Sequence, residues 1–438
     1  MNTIMKLKIL SGILTTTIFI FNSVMLYGQD RGKTITECID IALKNNPELK
    51  FQEMEIREAE SKYRQQIGNV LPQIDASLSY NRYEKVLPGK RALIGESLDD
   101  YYADISLRQI LFSGGKYVSR IDGTRFSLNA EKYRYEQLKR QVMLSVKTAY
   151  YDLLKSIHTL KIQNELLEKL KEQQEIARLL YNSGKLTNLD VLKIATQVAS
   201  SEDLVNNLSN LVYTRSLLLG QSMGLKESVV AQDNFPGIKE NIEISTRCLE
   251  DGFKDNPELL YIESIQEKTK QDIREAKSDF FPTLFLRANY NIEDGNWFSE
   301  GPAWSNWYIG IGLTFPLFHG GSIVAQTKQA ESRYRQISET ARQIDISIRT
   351  RFEVARATLI DRASRLRTTQ KVLDLAKETL TAAELKYSSG KLSALELIDA
   401  HMLWNNAEIN YINNVVDYLM AIAQIEAICP EAVVERGE

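Results

Sequence analysis

The sequence predicts a mainly α-helical chain with a small β part, arranged as two tandem repeats of helix, strand, strand, long helix, turn and helix. Three observations support this prediction. Two long segments, Thr124 to Ser183 and Ser322 to Ser389, contain no Gly or Pro. Short motifs recur in the same order in both halves, and polar and apolar residues alternate after two prolines. An unbroken helix over the second segment would be roughly 100 Å long, whereas ordinary helices have about 11–12 residues.

The repeated motifs define the two repeats. They are Asn-Pro-Glu-Leu at 46–49 and 256–259, a Pro at 72 and 282, Leu-Phe-x-Gly-Gly at 111–115 and 317–321, and Tyr-x-Ser-Gly-Lys-Leu at 181–186 and 387–392. The spacing between copies is about 210 residues for the first two motifs and about 206 for the others, which indicates an internal duplication. We therefore predict repeat 1 at 30–222, an equatorial linker at 223–243, repeat 2 at 244–429 and a tail at 430–438.

The N-terminal segment, residues 1–29, has the pattern of a secretory signal peptide. Lys6 and Lys8 precede an apolar run from Ile9 to Phe21, and small or polar residues follow at 27–30. An N-terminal membrane anchor is the alternative, but the apolar run is interrupted by three threonines at 15–17. Beyond this segment the sequence has no second run of about 18 apolar residues, so we expect no membrane-spanning helix.

Composition argues against several classes of function. The formal net charge is −3, and no basic stripe suggests nucleic acid as a partner. The histidines, His158, His319 and His401, are scattered, so no metal-ligand spacing occurs. The paired glycines are too short for a phosphate-binding loop. We therefore predict a protein that is not an enzyme and has no cofactor.

Three cysteines, Cys38, Cys248 and Cys429, are too few for a disulfide framework. One interpretation is that they are small apolar residues on packed helix faces. The other is a Cys38–Cys248 disulfide in an oxidising compartment, because these two occupy matching positions in the repeats.

Helices are predicted to begin each repeat and to flank the long helices. Thr34 to Glu37 has the pattern of a capping box that starts the first helix. That helix is expected from Thr36 to Val70, and its counterpart in repeat 2 from Cys248 to Phe280. Long helices are expected at about 115–182 and 321–388, and each is followed by a turn and a helix, Lys185–Gly220 and Leu392–Ala427.

Strands are predicted where apolar and polar residues alternate, at about 73–84, 101–111, 283–293 and 305–317. The loops between them, Val86–Asp100 and Asp294–Ser305, are rich in Gly, Pro and charged residues. Each strand is about 10–12 residues long, enough to cross a bilayer at a tilt. Aromatic residues at the strands fit a membrane girdle: Tyr80, Tyr101, Tyr290, Trp307 and Tyr308. The alternative is that these aromatic side chains are buried in the corner of a soluble sandwich.

Four strands are too few to close a barrel, since small closed barrels have about eight. Open sheet edges in lipid leave backbone groups unpaired at a cost of several kcal/mol each. If the strands cross a membrane, several chains must therefore share one barrel.

The order, spacing and duplication of these elements resemble the outer membrane efflux protein family, the TolC-like channel-tunnels, over nearly the whole chain. The resemblance implies a homotrimer with a 12-stranded transmembrane β-barrel in the outer membrane lipid, continued by an α-helical tunnel into the periplasm. It also implies an outer membrane channel of a tripartite efflux or type I secretion system. Its partners would be a periplasmic adaptor (membrane fusion) protein and an inner-membrane transporter, and its cargo small molecules or polypeptides.

The resemblance assigns roles to the two turns. The adaptor-docking tips would be Gly184, Lys185, Leu186, Gly390, Lys391 and Leu392, of which the lysines depart from the family pattern. The tunnel constriction would be Glu396 and Asp399, three residues apart on one helix face. Crowding of six such carboxylates in a trimer should raise some of their pKa values. The gate latch would pair Tyr387 with Asp190.

Simpler alternative interpretations exist for these residues and for the whole chain. The tips are turns in either case, and Glu396 and Asp399 could be ordinary solvated charges on a helix surface. The alternative function is a soluble periplasmic coiled-coil scaffold or adaptor protein. It explains the long helices but not the alternating strands with their aromatic residues.

Overall fold

The computed structural model describes residues 32–235, 242–244, 247–251, 253–297 and 304–435. The predicted signal peptide at 1–29 lies outside them, as do parts of the predicted linker and tail. The chain forms two compact units. The turn unit comprises Met1–Pro47, Arg140–Ser245 and Glu353–Glu438, and the sheet unit comprises Glu48–Lys139 and Thr246–Phe352. The prediction of a mainly helical chain is confirmed, with 71% helix.

The described part of the first half of the chain contains one long helix and one strand pair. Its elements are α1 Ile35–Asn45, α2 Pro47–Gly68, β1 Gln73–Arg82, α3 Pro88–Ile94, β2 Asp99–Phe112, α4 Lys116–Asn182 and α5 Asn188–Ser222. Helix α4 is unbroken over 67 residues and includes Gly123. No helix in the described part of the chain is both long and apolar enough to cross a membrane.

The second half repeats the series of short helices, strand pair, long helix and following helix, with a short strand at each end and no described helix between the paired strands. Its elements are β3 Ile242–Ile244, α6 Arg247–Glu250, α7 Pro257–Ser278, β4 Thr283–Asp294, β5 Trp304–Thr314, α8 Ser322–Ser388, α9 Ala394–Ile428, a 3₁₀ turn Pro430–Ala432 and β6 Val433–Glu435. Helix α8 also has 67 residues. Strand β5 ends three residues before the expected position 317 because Pro316 has no N–H to donate to a ladder.

The predicted helices Thr36–Val70 and Cys248–Phe280 are each interrupted, so those predictions are wrong. The expected capping box at Thr34 is present, with the Thr34 N–H donating to Glu37 Oε2 at 2.8 Å. Helix α1 ends at Asn45 because Pro47 disfavours helical geometry at the residue before it, and Asn46 has ψ 124°. In the second half, Asn256 caps α7 by accepting from the Glu258 N–H at 3.0 Å.

The sheet unit contains a four-stranded antiparallel sheet in the order β1-β2-β4-β5. Strands β2 and β4 come from different halves of the chain and form its central ladder. β1 and β5 are the two edges. The register aligns apolar residues in rows across the strands, for example Ala76 with Ile105, Ile105 with Tyr290 and Tyr290 with Trp307.

One face of this sheet is therefore apolar and the other polar. Large side chains on the apolar face are exposed in the single chain: Ile74, Leu78, Tyr80, Ile105, Tyr290, Trp307, Ile309, Ile311 and Leu313. The polar face carries Asp104, Ser106, Asn289, Asn291 and Asn306 in adjacent rows. We call these the apolar face and the polar face below.

The predicted loop Val86–Asp100 contains the short helix α3. Lys90 on α3 pairs with Asp100 at 2.9 Å and also with Glu293. Both carboxylates are on the polar face and nearly inaccessible, with relative exposures of 0% and 4%. These ion pairs anchor α3 to the sheet, and its sequence alone gave no helical periodicity.

Helices in the turn unit bury their apolar side chains around α4 and α9. Tyr150 on α4 is buried, and its hydroxyl donates to the Lys33 carbonyl oxygen at 3.2 Å. Lys33 pairs with the segment after α5, with the Lys33 N–H donating to the Val230 carbonyl oxygen at 2.8 Å. The start of the described chain is thus held against α4.

The interpretation of the cysteines as small residues on packed helix faces holds for Cys38 on α1 but not for the other two. Cys38 is buried and free, so a Cys38–Cys248 disulfide is wrong. Cys248 and Cys429 each take part in a disulfide bond. Matching positions in two repeats do not imply matching surroundings.

Candidate functional site

The two Tyr-x-Ser-Gly turns have the same backbone geometry. Gly184 and Gly390 adopt φ +77° and +69°. In each turn the N–H after the glycine bonds to a carbonyl five residues back, Lys185 to Leu180 and Lys391 to Lys386, both at 2.9 Å. This is a Schellman cap, in which the residue with positive φ is usually Gly because Gly has no Cβ to clash. A Cβ at either glycine would meet open space, so only φ requires glycine.

A capping box follows each turn, and sequence reasoning missed both. The Thr187 hydroxyl donates to Asp190 Oδ2 at 2.7 Å and accepts from the Asp190 N–H at 3.3 Å. Ser393 and Glu396 make the equivalent bonds at 2.7 and 3.3 Å. The pattern Ser/Thr-x-x-Asp/Glu was present in the sequence. Asp190 and Glu396 thus occupy the same structural position in the two turns.

These hydrogen bonds lower the pKa of both carboxyl groups. For Asp190 the main cause is the Thr187 hydroxyl, and for Glu396 it is the Ser393 N–H, since donors favour the charged form. Within one chain, the pKa of Glu396 therefore shifts down, opposite to the direction expected from crowding. The expectation that crowding in a trimer raises some of these pKa values stays a prediction.

Glu396 and Asp399 line one pocket of about 460 Å³ at the second turn. Lys386 on α8 lines it as well, so a cation lies near the two carboxylates. The structure thus brings the two predicted constriction residues together on one side of α9. The equivalent of Asp399 after the first turn is Lys193, so the acidic pair is a property of the second turn alone.

Tyr387 and Asp190 are not bonded to each other in the described residues. Tyr387 packs against a small apolar cluster of Ala383, Leu397 and Ala400. Burial there raises the pKa of its phenol. The Asp190 carboxylate is instead engaged by Thr187, and a latch between Tyr387 and Asp190 stays a prediction.

The two turns nevertheless pack together through a common core. Ile398 of α9 lies in a buried cluster with Leu166, Leu167 and Leu170 of α4 and Ile194 of α5. At the tips, Gly184, Lys185, Gly390 and Lys391 are exposed. Leu186 packs against this cluster and Leu392 against the smaller cluster beside Tyr387. The exposed tip surface is therefore formed by the glycines and lysines.

A layer of buried polar side chains lies on the same helices, further along from the turns. His401 on α9 is buried, which lowers the pKa of its imidazole; the Glu384 carboxylate acts in the opposite direction. Gln163 of α4 donates to the Ser201 hydroxyl of α5 at 2.9 Å, and Asn405 of α9 donates to the Ile162 carbonyl at 3.4 Å. The sequence analysis described the three histidines as scattered, and it did not predict that His401 and these polar side chains are buried.

The predicted girdle residues divide between the faces of the sheet. Tyr80 and Tyr101 pair on the apolar face, with ring centroids 5.0 Å apart, and Tyr290 pairs with Trp307 on the same face. Tyr308 is opposite Asn289 on the polar face. A lipid-facing role for Tyr308 therefore does not fit, because adjacent strand residues point to opposite faces.

Comparison with known proteins agrees with this geometry. The sequence profile described as "Outer membrane efflux protein" matches residues 38–225 and 251–429. The chain belongs to the outer membrane efflux protein family. It is an outer membrane channel of the kind that serves efflux and type I secretion.

Relatives and solved structures extend the comparison. The outer membrane protein TolC of Escherichia coli is 23% identical over 410 residues, which cover 89% of this chain and 80% of TolC. The alkaline protease secretion protein AprF of Pseudomonas aeruginosa is 22% identical over 336 residues, covering 75% and 69%. The Campylobacter jejuni CmeC outer membrane channel has a similar fold, with a TM-score of 0.79, 19% identity, and coverage of 93% and 88%. These relatives are channel and secretion proteins, which fits a role without catalysis.

Proposed function

We propose that the chain acts as a homotrimer whose sheets combine into one 12-stranded β-barrel in the outer membrane. An α-helical tunnel would continue the barrel into the periplasm. The assembly would passively conduct small molecules or polypeptides to the exterior. The observation that carries this proposal is the four-stranded sheet, which has an exposed apolar face, a polar face and two open edges.

The edges argue for sharing between chains. In lipid, each unpaired N–H or C=O of β1 or β5 would cost several kcal/mol. Pairing β5 of one chain with β1 of the next satisfies both edges, and three chains supply twelve strands. The apolar face would then contact lipid and the polar face would line the lumen.

Exposed apolar residues on the helices support the same assembly. In the turn unit, α8 exposes Val354, Leu375 and Leu385, and α5 exposes Leu189 and Leu192. Buried residues of α4, such as Val146 and Leu154, show that the long helices differ in how much of their apolar surface the single chain covers. Neighbouring subunits would cover α5 and α8.

Partners follow from the class of channel. We propose that cargo arrives from an inner-membrane transporter through a periplasmic adaptor protein that docks at the exposed tips. Lys185 and Lys391 would face acidic groups of that adaptor.

Oligomeric state and conductance test the proposal directly. We expect the mature protein in outer-membrane extracts to migrate as a heat-modifiable trimer and to form conducting pores in planar bilayers. A monomer released from the periplasm by a salt wash would contradict the proposal and favour the scaffold or adaptor alternative.

Glu396 and Asp399 are proposed as the constriction. Exchange for Gln and Asn together should lower the preference for cations in single-channel recordings, because their negative charge attracts cations. Glu175→Gln is the matched control, since Glu175 is an exposed carboxylate paired with Arg178 on α4. Equal selectivity of the double variant and the control would exclude these residues from the constriction.

The latch is tested separately. Tyr387→Phe removes only the phenolic hydroxyl and should raise the resting conductance if that hydroxyl holds the turns closed. A resting conductance equal to that of the unmodified protein would count against the latch.

A further inference from the structure

Two arginines face each other on the polar face of the sheet, near the ends of the strands that adjoin the helices. Arg108 of β2 is the direct partner of Arg287 of β4 in the ladder. The row continues with Gln73 on β1 and Gly310 on β5, so it contains two cations and no acid. Like charges directly opposite on neighbouring strands are destabilising, and this pair therefore requires an explanation.

The aromatic ring of Phe285 is the contact that both arginines share. The guanidinium carbon of Arg287 is 4.6 Å from the ring centroid and that of Arg108 is 5.7 Å from it. Each distance is within the range of a cation–π interaction. The ring covers Gly312, where a Cβ would lie 2.3 Å from ring atoms. Phe285 thus positions both guanidinium groups.

Other charged groups on this face have partners of suitable chemistry. Asp104 accepts from the Ser77 hydroxyl and from the Asn289 amide, the latter at 3.2 Å. Asp100 and Glu293 pair with Lys90. Among the residues that the structure describes, Arg108 and Arg287 have no ion pair with a carboxylate. Both are exposed, so their donors are free to bind a solute.

We propose that Arg108 and Arg287 form a binding site for multivalent oxyanions, with Phe285 as the platform that holds them. Guanidinium groups present a planar fork of donors that matches carboxylate or phosphate oxygens in pairs. The site lies within one chain, and its place inside the lumen rests on the proposed function. In a trimer, three copies would form a ring of six guanidinium groups. Cargo with anionic groups would bind there.

Calorimetric titration of the detergent-solubilised full chain with sodium tripolyphosphate tests the site. We expect binding that weakens at least tenfold in the double variant Arg108→Gln, Arg287→Gln. Lysines at both positions should give an intermediate affinity, because they keep the charge but lose the fork. Arg82→Gln is the matched control, since Arg82 lies in the same sheet but pairs with Asp99 at 3.2 Å, and its affinity should equal that of the unmodified chain.

A second variant tests the site without changing either arginine. Phe285→Leu retains both charges but removes the platform, and its affinity should fall below that of the unmodified chain. Absence of tripolyphosphate binding, or equal affinity in all variants, would overturn the site. Failure of the protein to conduct in bilayers, with binding intact, would instead contradict the proposed channel and leave the site standing.

Discussion

The two turns have the same backbone geometry, but the helices that follow them, α5 and α9, are packed differently. Ile398 after the second turn is buried, with 4% exposure, whereas Leu192 at the equivalent position after the first turn is 56% exposed. Ile398 packs into the cluster of α4 and α5, and its neighbour Leu397 packs with residues of α8. Helix α9 therefore packs against other helices of the same chain on two sides, whereas α5 packs on fewer sides.

Charge and polarity follow the same division. Lys193 corresponds to Asp399, and Ala195 corresponds to the buried His401. Duplication preserved the Schellman caps and capping boxes that form the turns. The residues beyond them diverged according to their neighbours, so only the second turn carries an acidic pair and a buried imidazole.

Core truncation should show the largest difference between the turns. Ile398→Ala removes a buried side chain and should lower the free energy of unfolding by about 2–5 kcal/mol. Leu192→Ala should leave the fold of the chain unchanged and lower only the temperature at which the proposed trimer dissociates. Denaturant unfolding followed by circular dichroism, with trimer dissociation on gels, measures both. Equal losses of unfolding free energy would show that the two helices are packed alike.

The capping boxes should give smaller and equal effects. Thr187→Ala and Ser393→Ala each remove a side-chain cap, which typically costs about 1 kcal/mol. The same unfolding experiment measures both. A marked inequality would show that one cap has a further role. Thr187→Ser and Ser393→Thr, which keep the hydroxyl that both donates and accepts, should retain stability in either turn.

The change of stability with pH should differ between the turns by the smallest amount, but its direction is defined. Burial lowers the pKa of His401 from 6.5, so the unfolded chain binds a proton at a pH where the folded chain does not. Stability should therefore fall as pH drops through about 6.5. Charged groups near His401 are Glu384 on α8 and Lys169 and Glu172 on α4.

Melting temperatures at pH 7.5 and 5.5 measure this dependence. His401→Ala, which introduces the residue found after the first turn, should reduce the loss on acidification. The half-buried Glu408 has a raised pKa, mainly because of burial, and has the opposite effect, with stability falling as pH rises above 4.5. His319→Ala, at an exposed histidine, is the control. An unchanged pH profile in His401→Ala would show that His401 is not the group that titrates.

Local patterns in the sequence were sufficient to predict the long helices, the faces of the strands and the glycine turns. These features depend on residues close in sequence, such as the absence of Gly and Pro from α8 and the alternation along β5. The signal for the break before Pro47 was also local but was overlooked. Alternation already separated Tyr308 from Trp307, so the girdle assignment of Tyr308 was avoidable.

Features set by distant contacts could not be predicted in this way. Helix α3 is held by Lys90 pairing with Asp100 and Glu293, and Glu293 is far away in sequence. The different burial of Leu192 and Ile398 arises from neighbouring helices and not from the nearly identical motifs that contain them. The arginine pair required the β2–β4 register before it could be recognised.

The central ladder of the sheet has a consequence for biogenesis. It pairs Tyr101 with Asp294 and Arg108 with Arg287, so each hairpin can form early but the join between them must wait until most of the polypeptide has been made. Contacts so far apart in sequence close slowly. A newly exported chain would thus cross the periplasm with its two hairpins unjoined, and we expect holding chaperones to bind it before insertion.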